Sequence, residues 1–267
     1  MTETSNGKGD RVKEGEGESV VAIEDFFVSQ YASVEQGFLR LAGFDGAVYV
    51  PNPEPAGPVD FIFIAMEPSL GRWGRDREGA EGWVGRGFRN FLLSIYDFIM
   101  HYSIREFLCR SGETYQVTDI SKGAMLVRDA KKDRERRWRK WYPSLLKEIK
   151  LLEKPGTKII AVGGDVERFL RRMGFAKIDE RICHFSIEAR GCWKRIVLSK
   201  EDEYNAFCRL IDFHDILRVA EQAMIKAKMS QDMRKTILQS LPFELSDAHK
   251  WLLFSCKIQF ETFANRD

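Results

Sequence analysis

The chain has little of what most disulfide-rich, metal-bound or nucleotide-cradling folds need. Its 267 residues hold five cysteines, at positions 109, 183, 192, 208 and 256, with no C-x-x-C pair. An odd, scattered set speaks against a disulfide framework or a zinc knuckle and fits thiols in a reducing cytosol. The glycines make neither a G-x-G-x-x-G turn nor a Walker P-loop. No cofactor and no metal is therefore expected. No run reaches the roughly 18 apolar residues of a membrane span, so no membrane partner is expected. The opening stretch "MTETSNGKGDRVKEGEGE" lacks the apolar core of a signal peptide. Residues 1–19 read as a disordered tail, and a cytoplasmic protein (nucleoid-associated in a prokaryote) is the expectation. Charge of one sign is missing too: the formal net charge is +2, which names no partner.

What is present is a core and an alternation. Hydrophobic residues make up 44% and aromatics 12% of the chain, enough for one generous domain. Residues 20–42 have helical apolar spacing. "VDFIFIAM" (59–66) is a short apolar run, as in a strand buried on both faces. A glycine-rich loop follows, and 88–100 reads as a helix. Residues 114–120 read as a strand. Residues 135–154 read as a helix that Pro143 starts or kinks, 157–164 as a strand, and 165–175 as a helix. Residues 181–187 are a fourth strand and 200–217 a helix. Strands alternating with helices predict a three-layer α/β/α fold with a central, mostly parallel four-stranded sheet. The α/β domain is expected over 20–217 and a helical extension over 218–267. Oligomeric state is not legible, and a monomer is favoured.

In such sheets ligands bind at the carboxyl ends of the strands. Three of the four ends carry polar residues: Glu67, Asp119 and His184. Each has a plain structural use as well. Glu67 or Asp119 could cap a turn, His184 could be a satisfied core histidine, and Trp83 could pack on the sheet. The segment "RDAKKDRERRWRK" (128–140) holds eight basic against three acidic residues. It fits a phosphate-tracking surface or a solvated helix face equally well.

The order of these residues resembles the uracil-DNA glycosylase superfamily over about residues 58–210. Ala65-Met66-Glu67-Pro68-Ser69 stands where that superfamily has a Gly-x-Asn-Pro or Gly-x-Asp-Pro turn. "GWVGRGF" (82–88) resembles the Pro-Phe-Val-Gly-Arg-Ala-Gly stretch of its iron-sulfur branch, with Trp83 in place of the base-stacking Phe. Thr118-Asp119-Ile120-Ser121-Lys122 matches a Thr-Asn-x-x-Lys strand end. His184-Phe185-Ser186 matches His-Pro-Ser. The chain departs at Ala65, Glu67, Asp119 and Phe185, and its cysteines do not match the cluster ligands, so no iron-sulfur cluster is expected.

The resemblance implies a monofunctional DNA glycosylase, a hydrolase that flips a base out of the stack and cuts its N-glycosidic bond. It implies Glu67 and His184 as catalytic and Met66, Trp83 and Asp119 as base-binding. Ser69, Arg86, Lys122, Ser186 and Arg190 are the implied phosphate contacts, with Arg134 and Arg137 from the basic segment. Arg86 is placed at a helix start, where N–H groups favour phosphate. Asp in place of the base-reading Asn favours a modified cytosine over uracil, in repair or in defence against foreign DNA. The alternatives are a non-catalytic nucleic-acid-binding protein of the same fold and an unrelated nucleotide-processing α/β enzyme.

Overall fold

A computed structural model describes residues 15–69, 71–73, 76–125 and 127–265. Residues 1–14 of the expected tail lie outside the described residues. The first helix, α1 (Gly15–Phe44), begins inside that tail, five residues before the predicted start. In chain order there follow β1 (Val48–Tyr49), β2 (Val59–Ala65), α2 (Arg77–Gly85), α3 (Ile95–Phe107), β3 (Tyr115–Asp119), β4 (Gly123–Ala124), α4 (Val127–Ala130) and α5 (Arg134–Leu152). Next come β5 (Glu153–Val162), α6 (Gly164–Arg172), β6 (Glu180–Ile182), α7 (Arg190–Ser199), α8 (Glu201–Cys208), α9 (Phe213–Lys226), α10 (Gln231–Gln239) and α11 (Asp247–Ala264).

The central sheet has four strands in the order β3-β2-β5-β6, and every neighbouring pair is parallel. The apolar run of β2 explains its central place. Phe61, Phe63 and Ala65 enter the core on one face, while Ile62 and Ile64 enter the core on the other. Strand β5 divides the same way, with Ile160 and Val162 opposed to Ile159 and Ala161. Such strands need both faces covered. Residues of α1, α5 and α6 cover one face, among them Tyr31, Leu145 and Phe169. Residues of α3, α7, α9, α10 and α11 cover the other. The predicted three-layer α/β/α architecture is therefore the fold. Among the described residues, no helix is long and apolar enough to cross a membrane.

Several boundaries differ from expectation. The helix foreseen from residue 88 starts at Ile95, because Ser94 and Asp97 form a reciprocal capping box there. The chain before it turns sharply, with Phe91 at φ 60°. Helix α5 runs through Pro143 instead of starting at it. The fourth strand spans only Glu180–Ile182. Lastly, the boundary placed between 217 and 218 falls inside α9. The helices beyond it share the main core: Phe260 of α11 meets Phe63 of β2 edge-on at 5.9 Å. The C-terminal segment is thus an outer layer of the same body.

The cysteines correct one expectation. Cys183 and Cys192 form a disulfide, and Cys109, Cys208 and Cys256 are free. Because β6 ends at Ile182, Cys183 turns to face the start of α7. The two Cα atoms are 6.4 Å apart, within bridging range.

Candidate active site

A cavity of about 400 Å³ opens at the carboxyl ends of the strands. Glu67, Asp119 and His184 all line it, as do Ser69 and Ser186. Sequence reasoning missed three walls. Asn90 and Phe91 come from the turn before α3, and the 240–242 segment closes the rim.

Asp119 is the last residue of β3 and is buried. Its Oδ2 accepts from Asn90 Nδ2 at 2.5 Å. The same Asn90 amide reaches Asn52 Oδ1 at 3.1 Å. Burial pushes the Asp119 carboxyl well above the usual carboxylate range. The charges of Glu67 and Glu148 add to the rise, while Lys122 and the Asn90 bond oppose it. The group is therefore disposed to be a neutral acid that can donate as well as accept.

His184 follows β6. The Ser186 N–H donates to its Nδ1 at 3.0 Å, which leaves the ring proton on Nε2. Burial lowers its pKa to about 4, so at neutral pH the ring is uncharged and still a donor. The ring stacks on Phe185 at 4.8 Å, and the Trp193 indole fixes the His184 carbonyl at 2.9 Å. Gly163 backs the ring. Its φ is +93°, and a Cβ there would lie 3.4 Å from the His184 Cβ. Gly163→Ala should therefore lower stability by about 1–3 kcal/mol, because a side chain is strained at this positive φ with extended ψ, and it should shift the His184 ring resonances. Urea unfolding and histidine NMR check both. Unchanged ring signals would separate the glycine from the site.

Glu67 is held at both oxygens. Arg134 donates to Oε1 through Nε at 2.8 Å and pairs with it at 2.7 Å through its terminal nitrogen. Trp138 Nε1 donates to Oε2 at 2.8 Å. Oε1 thus takes both Arg134 contacts, and Oε2, with one donor, keeps a second lone pair for a water.

Six of the predicted residues stand elsewhere or do other work. Lys122 is no phosphate contact: it is buried, and its ammonium pairs with Glu148 at 2.9 Å. Thr118 shares that pair, donating to Glu148 at 2.7 Å and accepting from Lys122, and Tyr31 closes the network from α1 at 3.1 Å. The pairing of β1 with β4 folds the chain over this lysine. Met66 packs into the core on the far side of the sheet. Trp83 clusters with Trp73 and Phe88, and does not line the cavity. Arg86 caps the C-terminal end of α2 and lies 3.8 Å over the Trp83 ring, so it meets carbonyls and not the amide end of a helix. Arg137 donates to the carbonyls of Ala130 and Lys132, both at 2.8 Å, which ties α4 to α5. With Arg134 on Glu67 and Arg139 on Glu135 at 2.7 Å, most of the basic stretch is spent on internal bonds. Arg190 is exposed at the first residue of α7, beside the cavity-lining Glu188.

Phe91 is positioned by a buried pair. Its carbonyl accepts from His101 Nε2 at 3.1 Å, so Nδ1 is bare and accepts from the Tyr115 hydroxyl at 2.8 Å. Burial lowers the His101 pKa to about 4. In acid the unfolded chain takes up this proton first. Stability is therefore complete above the unfolded value of about 6.5, and falls by roughly 3 kcal/mol as pH drops toward 4. His101→Gln, which removes the titration, should show a smaller acid loss in urea midpoint between pH 7 and pH 4. An equal loss would mean that His101 is charged in the fold.

Among the described residues, no group of three His, Cys, Asp or Glu side chains is placed to hold a metal ion. Comparison with family models, curated proteins and solved structures finds no match to this chain.

Proposed function

We propose that the protein is a monofunctional DNA glycosylase that flips a modified cytosine into the cavity and hydrolyses its N-glycosidic bond, leaving an abasic site. The observation that carries this reading is the gathering of Glu67, Asp119 and His184 in one 400 Å³ cavity at the strand ends. Cleavage makes the sugar oxocarbenium-like and the leaving base negative. Glu67 can hold a water and offset the positive charge. The Nε2–H of a neutral His184 is a fixed donor for the charge that grows on the base. Asp119, as a neutral acid beside Asn90, presents a donor and an acceptor to the base edge. Phe91 takes the stacking role that the resemblance implied for Trp83. Ser69, Ser186 and Arg190 are the side chains left for phosphates.

One observation favours a second reading, a nucleic-acid-binding protein without catalysis: both Glu67 oxygens are already engaged. A panel of oligonucleotides separates the two. Uracil, cytosine and 5-substituted cytosines are placed in one sequence context, and strands are treated with alkali after incubation. The glycosylase reading expects breaks at a 5-substituted cytosine only after alkali. Salt-dependent binding with no break at any base supports the second reading.

A further inference from the structure

A larger cavity, of about 500 Å³, opens at the amino-terminal ends of β2 and β3, on the other side of the 90–93 turn. Its apolar wall comes from the proline-rich 53–58 segment and from Leu92 and Val117. Its polar floor is the His101–Tyr115 pair. Two cations stand at its mouth. Among the described residues, exposed Arg105 bonds only the neutral Gln222, at 2.7 Å, and Lys226 has no ion pair. The charges of both reach His101. The acids on the same wall are turned to other partners. Glu113 accepts from the Arg110 amide at 2.6 Å, and Glu54 pairs with Lys228 at 3.2 Å.

A concave apolar pocket with a few convergent polar groups and unpaired cations has the build of a small-molecule site. We propose that this second cavity binds a small organic anion, an apolar body carrying one carboxylate or phosphate head. The body lies against Pro53–Pro58 and Leu92, and the head meets Arg105 and Lys226. The proposal does not depend on the glycosylase reading, since no residue of that chemistry lines this cavity.

His101 is the reporter, because it lies on the floor and its ring nitrogens are fixed by two hydrogen bonds. Full-length protein labelled with ¹⁵N at histidine is titrated with phenyl phosphate, benzoate and neutral benzamide at low salt. The expected result is a saturable shift of the His101 ring signals with the two anions, weakened by added salt, and a much weaker response to benzamide. The tighter anion identifies the head group. Arg105→Gln and Lys226→Gln should each weaken the anion about threefold, as exposed pairs do, and about tenfold together. Unshifted His214 and His249 signals confirm the fold of each variant. Equal binding of benzamide, unchanged affinity in the double variant, or no saturable shift would overturn the assignment.

Discussion

Glu67→Gln should lower single-turnover base excision by about 10²–10³, the usual effect of removing one group that stabilises transition-state charge, while DNA affinity should be retained. The reason is geometric. Glu67 is the charged group at the end of β2, in the cavity with Asp119 and His184. Glutamine keeps its shape but loses its charge. It also has one acceptor where the carboxylate had two, so it cannot accept from both Arg134 and Trp138. One donor is left facing an amide N–H, which costs about 1–3 kcal/mol of stability. Excision is therefore measured alongside unfolding, well below the melting temperature. Trp138→Phe is the control. It removes the partner of Oε2 and leaves the carboxylate and Arg134 in place. Excision should survive in that variant. Full activity in Glu67→Gln would place the chemistry on another residue.

The parts of this molecule that were legible in the sequence are those set by short-range pattern. The run 59–66 reads as a strand covered on both faces, and the polar residues after the strands converge because parallel strands end on the same side. The start of α3 was also written locally, as Ser94 and Asp97 three residues apart, but the apolar Phe88–Leu93 stretch masked it. Those residues pack from a turn, and Phe91 enters the cavity because its backbone is left-handed. No pattern of hydrophobicity carries that information. Lys122 was misread for a different reason. Its surroundings are set by distant partners, Tyr31 on α1 and Glu148 on α5. A faint signal existed: Glu148 lies at helical spacing among Trp141, Leu145, Ile149 and Leu152, a charge inside an apolar stripe. Such a charge needs a buried partner. The basic segment misled in the same way, since composition counts arginines but not the carboxylates and carbonyls that fold back onto them.

Asp119→Asn should move base preference from 5-substituted cytosine toward uracil, changing the ratio of the two excision rates by about 10²–10⁴. Cytosine offers an N3 acceptor beside an N4 amino donor, and uracil offers the reverse, an N3–H beside O4. A protonated Asp119 complements the first pair. It can donate from one oxygen to N3 and accept at the other from N4. An asparagine amide complements the second pair, and the Asn90 bond can persist to its carbonyl. The protonated form is favoured because burial, with Glu67 and Glu148 nearby, raises the Asp119 pKa well above its ordinary value. The sign of the pH effect follows. The acid form is present below that raised pKa, so activity on cytosine should fall as pH rises through it. The variant should lack this alkaline limb. Stability gives a second readout. Between the unfolded value near 3.9 and the folded one, the native state holds a proton that the unfolded chain has released. Wild-type stability therefore falls with rising pH across that window, and the isosteric, uncharged variant does not share the fall. Rates on uracil, cytosine and 5-substituted cytosine in one sequence context, taken across pH, decide the matter. A wild type that excises uracil best, or a variant with the same ranking of bases, would leave Asp119 as a structural acid beside Asn90.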